Sequence, residues 1–304
     1  MGRFDMKPVL GEEAFVNSRP FQDDRFDLLL TNISFSDIDT KKLLAESLQA
    51  GTMTVSSGSL KVYCDLARPR DHKNRVGLYP HQVLDDVPFA FAVKKIVVND
   101  SYIEYKERNH ITRRSAKIRF HHVNATLTNF TNNKKATGQE MTAVISSRFL
   151  DQTNFTTRWK FYLFHPQGRF DLSGSMGPMD ARHVNQLTEP SGPSRIREGQ
   201  LNGVEFNLHG NDNAMNGTVK LLYSDLKIDV LEMDKGAVEA DKKSLASFLT
   251  NIVAKNSNPK RNEEARIANV IMARDINRSI FSFCWKAIFK GIMETVGIKQ
   301  GDKG

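Results

Sequence analysis

Cysteine is scarce in this chain, which has only Cys64 and Cys284 among its 304 residues. Two thiols allow at most one disulfide, so the sequence excludes the class of small secreted proteins that depend on a disulfide framework. Cys64 falls in a predicted strand and Cys284 in a predicted helix. We expect both to be buried or half-buried thiols.

Long apolar runs are missing from the N-terminal region. Residues 1–25 hold acidic residues and prolines where a secretory signal would need an apolar core. No apolar run long enough for a membrane-spanning helix precedes residue 26. Export from the cytoplasm would therefore need additional sequence.

Catalytic and metal-binding motifs are also lacking. The eight histidines form no H-E-x-x-H pattern, the cysteines form no C-x-x-C pair, and no glycine-rich phosphate loop occurs. The string GSMG at 174–177 lacks the G-x-S-x-G spacing of a nucleophile elbow. We therefore assign no catalytic residue and no metal ligand, expect no cofactor, and do not expect enzyme activity.

Positive charge is in excess, with a net charge of +8 and an isoelectric point near 9.4. The sequence has no basic helix, zinc-finger spacing or aromatic RNP-type strand motif, so we expect no nucleic-acid partner. A membrane surface rich in anionic head groups fits better, because positive residues recur beside a predicted amphipathic helix.

Strand patterns fill the first two thirds of the chain. After a strand at 26–35, the segments 48–65, 90–108 and 115–132 each read as a pair of strands around a Gly, Ser or Asn-Asp turn. Strands follow one another without helical crossovers, which excludes a doubly wound α/β protein and favours an antiparallel sheet. The long polar stretch at 66–88 is predicted to be a functional or mobile loop.

The segment 199–231 carries the clearest pattern, with apolar residues at alternate positions in two arms around a polar turn at Gly210–Asn216. This predicts an antiparallel hairpin with one apolar face. The apolar parity shifts after Tyr223, and a bulge at Ser224–Asp225 would restore it. The predicted apolar face, which suits the inner wall of a curved sheet, consists of Val204, Phe206, Leu208, Val219, Leu221, Tyr223, Leu226 and Ile228.

Helical spacing appears at 238–255 and, more sharply, between 277 and 297. The second helix has a broad apolar arc and a polar side that includes Lys286 and Lys290. It can pack on the end of the sheet as a lid, or lie in a membrane interface or against a partner. The arc consists of Phe281, Cys284, Trp285, Ile288, Phe289 and Ile292.

Three stretches carry a resemblance to a known family. They are YIEYKER at 102–108, GTVKLLYSDLKIDVL at 217–231 and RDINRSIFSFCWKAIFKGI at 274–292. With them, most of residues 26–298 resembles the C-terminal part of AsmA-like proteins, which are envelope proteins of Gram-negative bacteria related to TamB and to bridge-like lipid transfer proteins.

The resemblance implies an elongated β-groove that shelters acyl chains, with phospholipid or another acyl-chain lipid as ligand. It also implies a periplasmic location and an N-terminal membrane helix. Since no such helix precedes residue 26, we expect the anchor to lie outside this chain. The membrane surface and an envelope protein are the further partners that we expect.

The predicted fold is mainly β: an elongated, curved antiparallel sheet that forms an apolar groove, with short helices and a C-terminal amphipathic helix. The predicted parts are an N-terminal extension or truncated strand at 1–25, a β-groove domain at 26–235 and a C-terminal helical segment at 236–304.

Two functions fit this fold. One is a non-enzymatic lipid-binding or lipid-conducting module of the cell envelope. The other is an envelope assembly or scaffold protein whose sheet is filled by its own side chains and whose C-terminal helix docks a partner. A wall that faces a core and a wall that faces lipid use the same residue types, so the sequence leaves both functions open.

Overall fold

The computed structural model describes residues 2–110, 112–191, 194–230 and 256–297. Within them the chain forms one curved, unclosed sheet of twelve strands with a few short helices, which confirms the predicted mainly β class. The strands are β1 Arg3–Met6, β2 Arg25–Ser36, β3 Ser47–Asp65, β4 Ala90–Arg108, β5 Ser115–Thr131, β6 Glu140–Phe149, β7 Thr153–Tyr162, β8 Phe170–Met176, β9 Met179–Asp180, β10 Ser194–Gly210, β11 Ala214–Val230 and β12 Ala268–Ala273. The helices are α1 Glu12–Asn17, α2 Thr40–Leu44, α3 Asn185–Ser191 and α4 Ile280–Thr295, with 3-10 helices at Val83–Asp86, Lys134–Ala136 and Ala181–Val184.

Strands that are consecutive in sequence lie side by side from β1 to β8, followed by β10, β11 and β12, with β9 beside β10. The pair β3–β4 is parallel, so the prediction of a purely antiparallel sheet is wrong at this pair. Ser47 pairs with Ala90, since the chain returns to the starting end of β3 before β4 begins. The predicted long loop performs this return. We call residues 66–89 the crossover.

The first strands are longer than predicted. β3 and β4 each run for 19 residues and β5 for 17, where the sequence predicted pairs of shorter strands. In place of turns, single residues with positive φ angles lie within continuous strands. Asn32, Asp100 and His122 have positive φ angles of 51°, 34° and 50°, a conformation that Asn, Asp and His tolerate better than most residues.

The predicted hairpin is β10–β11, and its register pairs Val204 with Leu221 and Phe206 with Val219. Its turn is shorter than predicted, because β10 continues to Gly210 and β11 already begins at Ala214. The Asn211 side chain accepts hydrogen bonds from the backbone N–H groups of the two residues that complete the turn. This local bonding closes the connection within 211–213.

The bulge predicted at Ser224–Asp225 is confirmed. Gln200 pairs with Ser224 and Glu198 with Lys227, so β11 uses one more residue than β10 over this interval. Asp225 has a φ of 53°. The extra residue restores the apolar parity, because Leu226 is buried like Tyr223 before it.

A large buried core fills the C-terminal part of the sheet, and α4 packs over β11 and β12. Ser279 caps α4 by accepting a hydrogen bond from the backbone N–H of Ser282. A Cβ atom at Gly291 would lie 2.4 Å from the Val219 Cβ, so helix and strand approach at a distance that only glycine permits. The crossover adds Tyr79 and Leu84 to the same core.

The sheet extends across the predicted parts. Strand β1 lies in residues 1–25, predicted to be an N-terminal extension or truncated strand, and β12 lies in the predicted helical segment. Strand β12 pairs with β11 and forms an edge strand of the sheet. Its six residues are too few to give a recognisable strand pattern in the sequence. The helix predicted at 238–255 lies outside the described residues.

Candidate functional site

The predicted groove residues of the hairpin share one face of the sheet, as expected from their parity, but they are covered by protein. Seven of the eight are buried, and Ile228 packs partly buried against them. Helix α4 and the crossover occupy the space in front of them. These residues therefore offer no surface to a lipid, and the candidate site lies farther along the same sheet face.

A cross-strand row of apolar residues leads from this core to the opposite edge of the sheet. Directly paired residues share a face, so the row follows from the strand register. It passes from the buried core residue Phe149 to the edge strand β1. The row is Phe149, Phe120, Ile103, Leu60, Leu28 and Met6.

A second row runs beside it through Ile118, Tyr105, Val62 and Phe26. Leu30 and Phe4 begin a third row, next to Gly58. We define the open wall as the partly exposed residues of β2, β3 and β4 on this face, which belong to neither buried core of the described chain. They are Leu28, Leu30, Leu60, Val62, Ile103 and Tyr105.

The edge of the open wall is still more exposed. Phe4, Met6 and Phe26 are 45%, 44% and 45% exposed. Ring contacts join the other end of the wall to the core, since Phe120 lies 5.5 Å from Phe155, which lies 6.4 Å from Phe206. The apolar surface is therefore continuous from the filled core to the sheet edge.

The opposite face of the same strands is charged. Asp27 pairs with Lys61, Lys61 with Glu104, and Glu104 with Arg119, so charges of alternating sign stand side by side. This row of charges is polar, as expected where a sheet faces water. The uncovered apolar face is the unusual one, because large contiguous apolar patches mark interaction sites on soluble domains.

Helix α4 presents two apolar faces instead of the single predicted arc. Its sheet-facing residues include Phe283, Cys284 and Ala287, all buried, while Ile288 and Ile292 are partly buried against the core. Three predicted arc residues point away from the core. Phe281, Trp285 and Phe289 are 66%, 45% and 42% exposed, and we call them the aromatic stripe.

The predicted polar residues of α4 have different surroundings. Lys290 donates a hydrogen bond to the backbone oxygen of Ile271 in β12, 3.0 Å away. Lys286 lies 3.8 Å from Asp275 in the segment before the helix. The aromatic stripe starts at the sheet face, because the Phe281 ring lies edge-on to Trp159 at 6.2 Å, and Trp159 pairs with the core residue Leu172.

Polar groups end the open wall at the C-terminal end of β3. The Cys64 thiol donates a hydrogen bond to Asp24, and the Tyr105 hydroxyl donates one to Glu107 at 3.0 Å. Burial raises the pKa of Cys64 and of Tyr105, and it is also the main reason that the pKa of Asp24 is raised. Burial therefore keeps the thiol and the phenol neutral at this end.

Neither a metal site nor a membrane-spanning helix is found in the part of the chain that the structure describes. There, no three His, Cys, Asp or Glu residues form a group that could hold a metal ion. None of the described helices combines the length and the apolar character that crossing a bilayer requires. The chain matches no protein-family model, and no curated protein matches it.

Sequence reasoning missed the open wall because it assigned strand faces only in the hairpin. A signal was present in β2, where Leu28 and Leu30 alternate with Asp27 and Leu29. The sequence pattern could not predict the register across β2, β3 and β4, because this register depends on the parallel pairing of β3 with β4.

Proposed function

We propose that this protein is a non-enzymatic lipid-binding or lipid-conducting module whose open wall contacts acyl chains. The observation that carries the proposal is the continuous apolar face of β2, β3 and β4, whose residues stay partly exposed beside a filled core. Acyl chains need an apolar surface and no specific hydrogen bonds, and the open wall offers such a surface.

The dimensions of the wall suit an acyl chain. The row from Met6 to Phe149 crosses six strands, and at about 4.8 Å between neighbouring strands it is roughly 24 Å long. The hydrocarbon layer of one membrane leaflet is roughly 15 Å thick, half of the bilayer core. A chain lying along the row would therefore be in contact with apolar side chains over its whole length.

The proposed setting is the periplasmic side of a bacterial envelope, with the membrane surface and an envelope protein as further partners. The resemblance to AsmA-like proteins supports this setting. The net charge of +8 also suits work beside anionic head groups.

Native mass spectrometry of gently purified protein tests the proposal. The variant Leu60→Asn/Ile103→Asn places amides on the open wall, whereas the control Lys61→Asn changes a neighbouring residue on the charged face. We expect phospholipid on the wild type and the control, and a loss of most of it from the double variant. Equal lipid content in all three, or no lipid on the wild type even after exposure to vesicles, would refute lipid binding at the wall.

A second candidate function is an envelope scaffold whose α4 docks a partner. The filled C-terminal core and the exposed aromatic stripe favour it. In that case Phe281→Ala/Trp285→Ala would abolish partner capture in a crosslinking experiment without changing the lipid content. Unchanged crosslinked products would count against the scaffold.

A further inference from the structure

A small basic cleft lies where the crossover meets the segment before α4. It has a cavity volume of about 130 Å³. This is below the roughly 300 Å³ at which pockets for drug-sized ligands begin, so the cleft suits a single small group. Its lining consists of Gln22, Arg70, Asp71, His72, Arg75, Asp275, Asn277 and Arg278.

Positive charge exceeds negative charge at this cleft. Arg75 pairs with Asp71 at 2.9 Å, and among the described residues no carboxylate pairs with Arg70. A single carboxylate, Asp275, lies 3.9 Å from Arg278 and 3.8 Å from Lys286, near the limit for an ion pair. Arg278 and Lys286 share Asp275 at these long distances, and Asp24 also lies within electrostatic range of Arg278. Among the described residues, Arg70 has no carboxylate partner.

The pKa of Lys286 reflects the positive charges that lie around it. Its pKa is lowered first by burial and then by the nearby guanidinium groups of Arg278 and Arg70, against the opposing effect of Asp275. The positive charges therefore repel one another. A bound anion would relieve this repulsion.

The cleft adjoins the polar end of the open wall. Asp24 bonds to Cys64, the wall-side residue of β3, and it also lies within electrostatic range of Arg75 and Arg278. The Gln22 side chain donates to the backbone oxygens of Leu66 and Arg68, which holds the loop before β2 against the crossover. A ligand whose chain lay on the wall could thus place its head at the cleft.

We infer that the basic cleft binds the phosphate of a phospholipid head group through the guanidinium groups of Arg70, Arg75 and Arg278. Guanidinium groups match phosphate oxygens in geometry and charge. The inference deepens the proposed function and rests on it for the acyl chains. The phosphate itself can come from a lipid or from a soluble ester, and separate measurements distinguish these two sources.

The first measurement is a titration with glycerol phosphate, which has no acyl chain, followed by nuclear magnetic resonance or calorimetry. Arg70→Gln removes the cation without a carboxylate partner, and Arg70→Gln/Arg278→Gln removes two. The matched control is Arg158→Gln, at an exposed residue of β7. We expect the double variant to bind at least about tenfold more weakly than the wild type and the control, because each charge-assisted hydrogen bond contributes at least about a factor of ten.

The second measurement compares phosphatidic acid with diacylglycerol, which has the same acyl chains but no phosphate. The wild type should retain more phosphatidic acid, and Arg70→Gln/Arg278→Gln should lose this preference while it keeps diacylglycerol. The wall variant Leu60→Asn/Ile103→Asn should lose both lipids and still bind glycerol phosphate. Failure of the proposed function and failure of the cleft therefore give different results.

Two outcomes would overturn the inference. If glycerol phosphate does not bind, or binds equally to the wild type and to both cleft variants, the cleft is not a phosphate site. If glycerol phosphate binding weakens while the preference for phosphatidic acid persists, the head-group assignment is wrong and the ligand is a soluble phosphate. Thermal unfolding of Arg70→Gln shows whether the fold is intact, since no described carboxylate pairs with Arg70.

Discussion

The two ends of the sheet carry the same kind of apolar face but differ in what lies in front of it. From β6 to β12 the face is covered by α4, the crossover and facing side chains, and residues such as Leu208 and Val219 are completely buried. At the open wall of β2, β3 and β4 the face is only partly shielded, and Phe26 at its edge is 45% exposed. In this protein, the burial of the apolar sheet face is therefore decided by the elements that cover it and not by the strands themselves.

A charge on the covered face should give the largest effect. Phe206 is 5% exposed, and a Cβ atom at Gly174 would lie 2.4 Å from its ring, so the ring fills its site closely. Phe206→Asp should cost at least about 4 kcal/mol, because it combines a large cavity with an unpaired buried charge. Urea denaturation measures this cost. Glu205→Asp, at the exposed neighbour on the other face, is the control and should change stability by less than about 0.5 kcal/mol.

A pair of identical truncations measures the difference between the two ends directly. Leu208→Ala, in the covered half, should cost about 3 kcal/mol, as fully buried leucines do. Leu60→Ala, on the open wall, should cost about 1 kcal/mol, since Leu60 is partly exposed already. Both costs come from chemical denaturation under one set of conditions. Equal costs would show that protein covers Leu60.

Acid should weaken the covered half through His81 of the crossover. His81 is 1% exposed, packs against Phe161 at 5.0 Å, and has no hydrogen-bond partner at either ring nitrogen within the described chain. Burial is the main cause that lowers its pKa from 6.5 to about 4, and His165 adds to the effect. The neutral form is thus favoured in the folded state.

The sign of the pH effect follows from this lowered pKa. Between pH 6.5 and pH 4 the unfolded chain takes up a proton at His81 that the folded protein does not, so stability falls as the pH falls, by up to about 3 kcal/mol at pH 4. Unfolding curves over this pH range measure the loss. His81→Leu should flatten the curve, whereas His183→Leu, at an exposed residue, should not. A wild-type slope retained in His81→Leu would exclude His81 as the cause.

The smallest effect on stability is expected at the aromatic stripe, where Trp285→Ala should cost within about 0.5 kcal/mol because Trp285 is 45% exposed. Its effect on membrane binding should be larger. In a Trp159→Phe background Trp285 is the one remaining tryptophan, and anionic vesicles should shift its fluorescence to the blue.

Salt provides the control for this binding. Lys286 and Arg278 lie beside the stripe, so the shift should weaken as salt screens their attraction to anionic lipid. If vesicles leave the Trp285 fluorescence spectrum unchanged, α4 does not bind the membrane surface.

Much of the fold could be predicted because it is encoded by neighbouring residues. The alternation in β10 and β11 predicts their shared apolar face, and the parity shift after Tyr223 predicts the bulge that Asp225 forms. Helical spacing likewise predicts α4, although the centre of its buried face differs from the predicted arc. Local periodicity predicts which residues share a face of a strand or helix. It does not predict which face another element will cover.

The candidate site could not be predicted to the same extent, because it depends on contacts between distant residues. The parallel pairing of Ser47 with Ala90 places β4 beside β3, and this pairing is set by the path of the crossover. That register brings Leu60 next to Ile103 and completes the open wall. The basic cleft likewise joins Arg70 to Arg278, residues far apart in the chain.

By itself, the sequence determined the class of fold, the apolar face of the β10–β11 hairpin and the amphipathic character of the terminal helix. Each of these follows from side-chain alternation over a few residues. Only the tertiary structure decided that Leu208 lies in a filled core while Leu60 lies on an open wall. The physical reason is that a filled core and an open wall use the same apolar side chains. They differ in whether α4 and the crossover reach the space in front of those side chains.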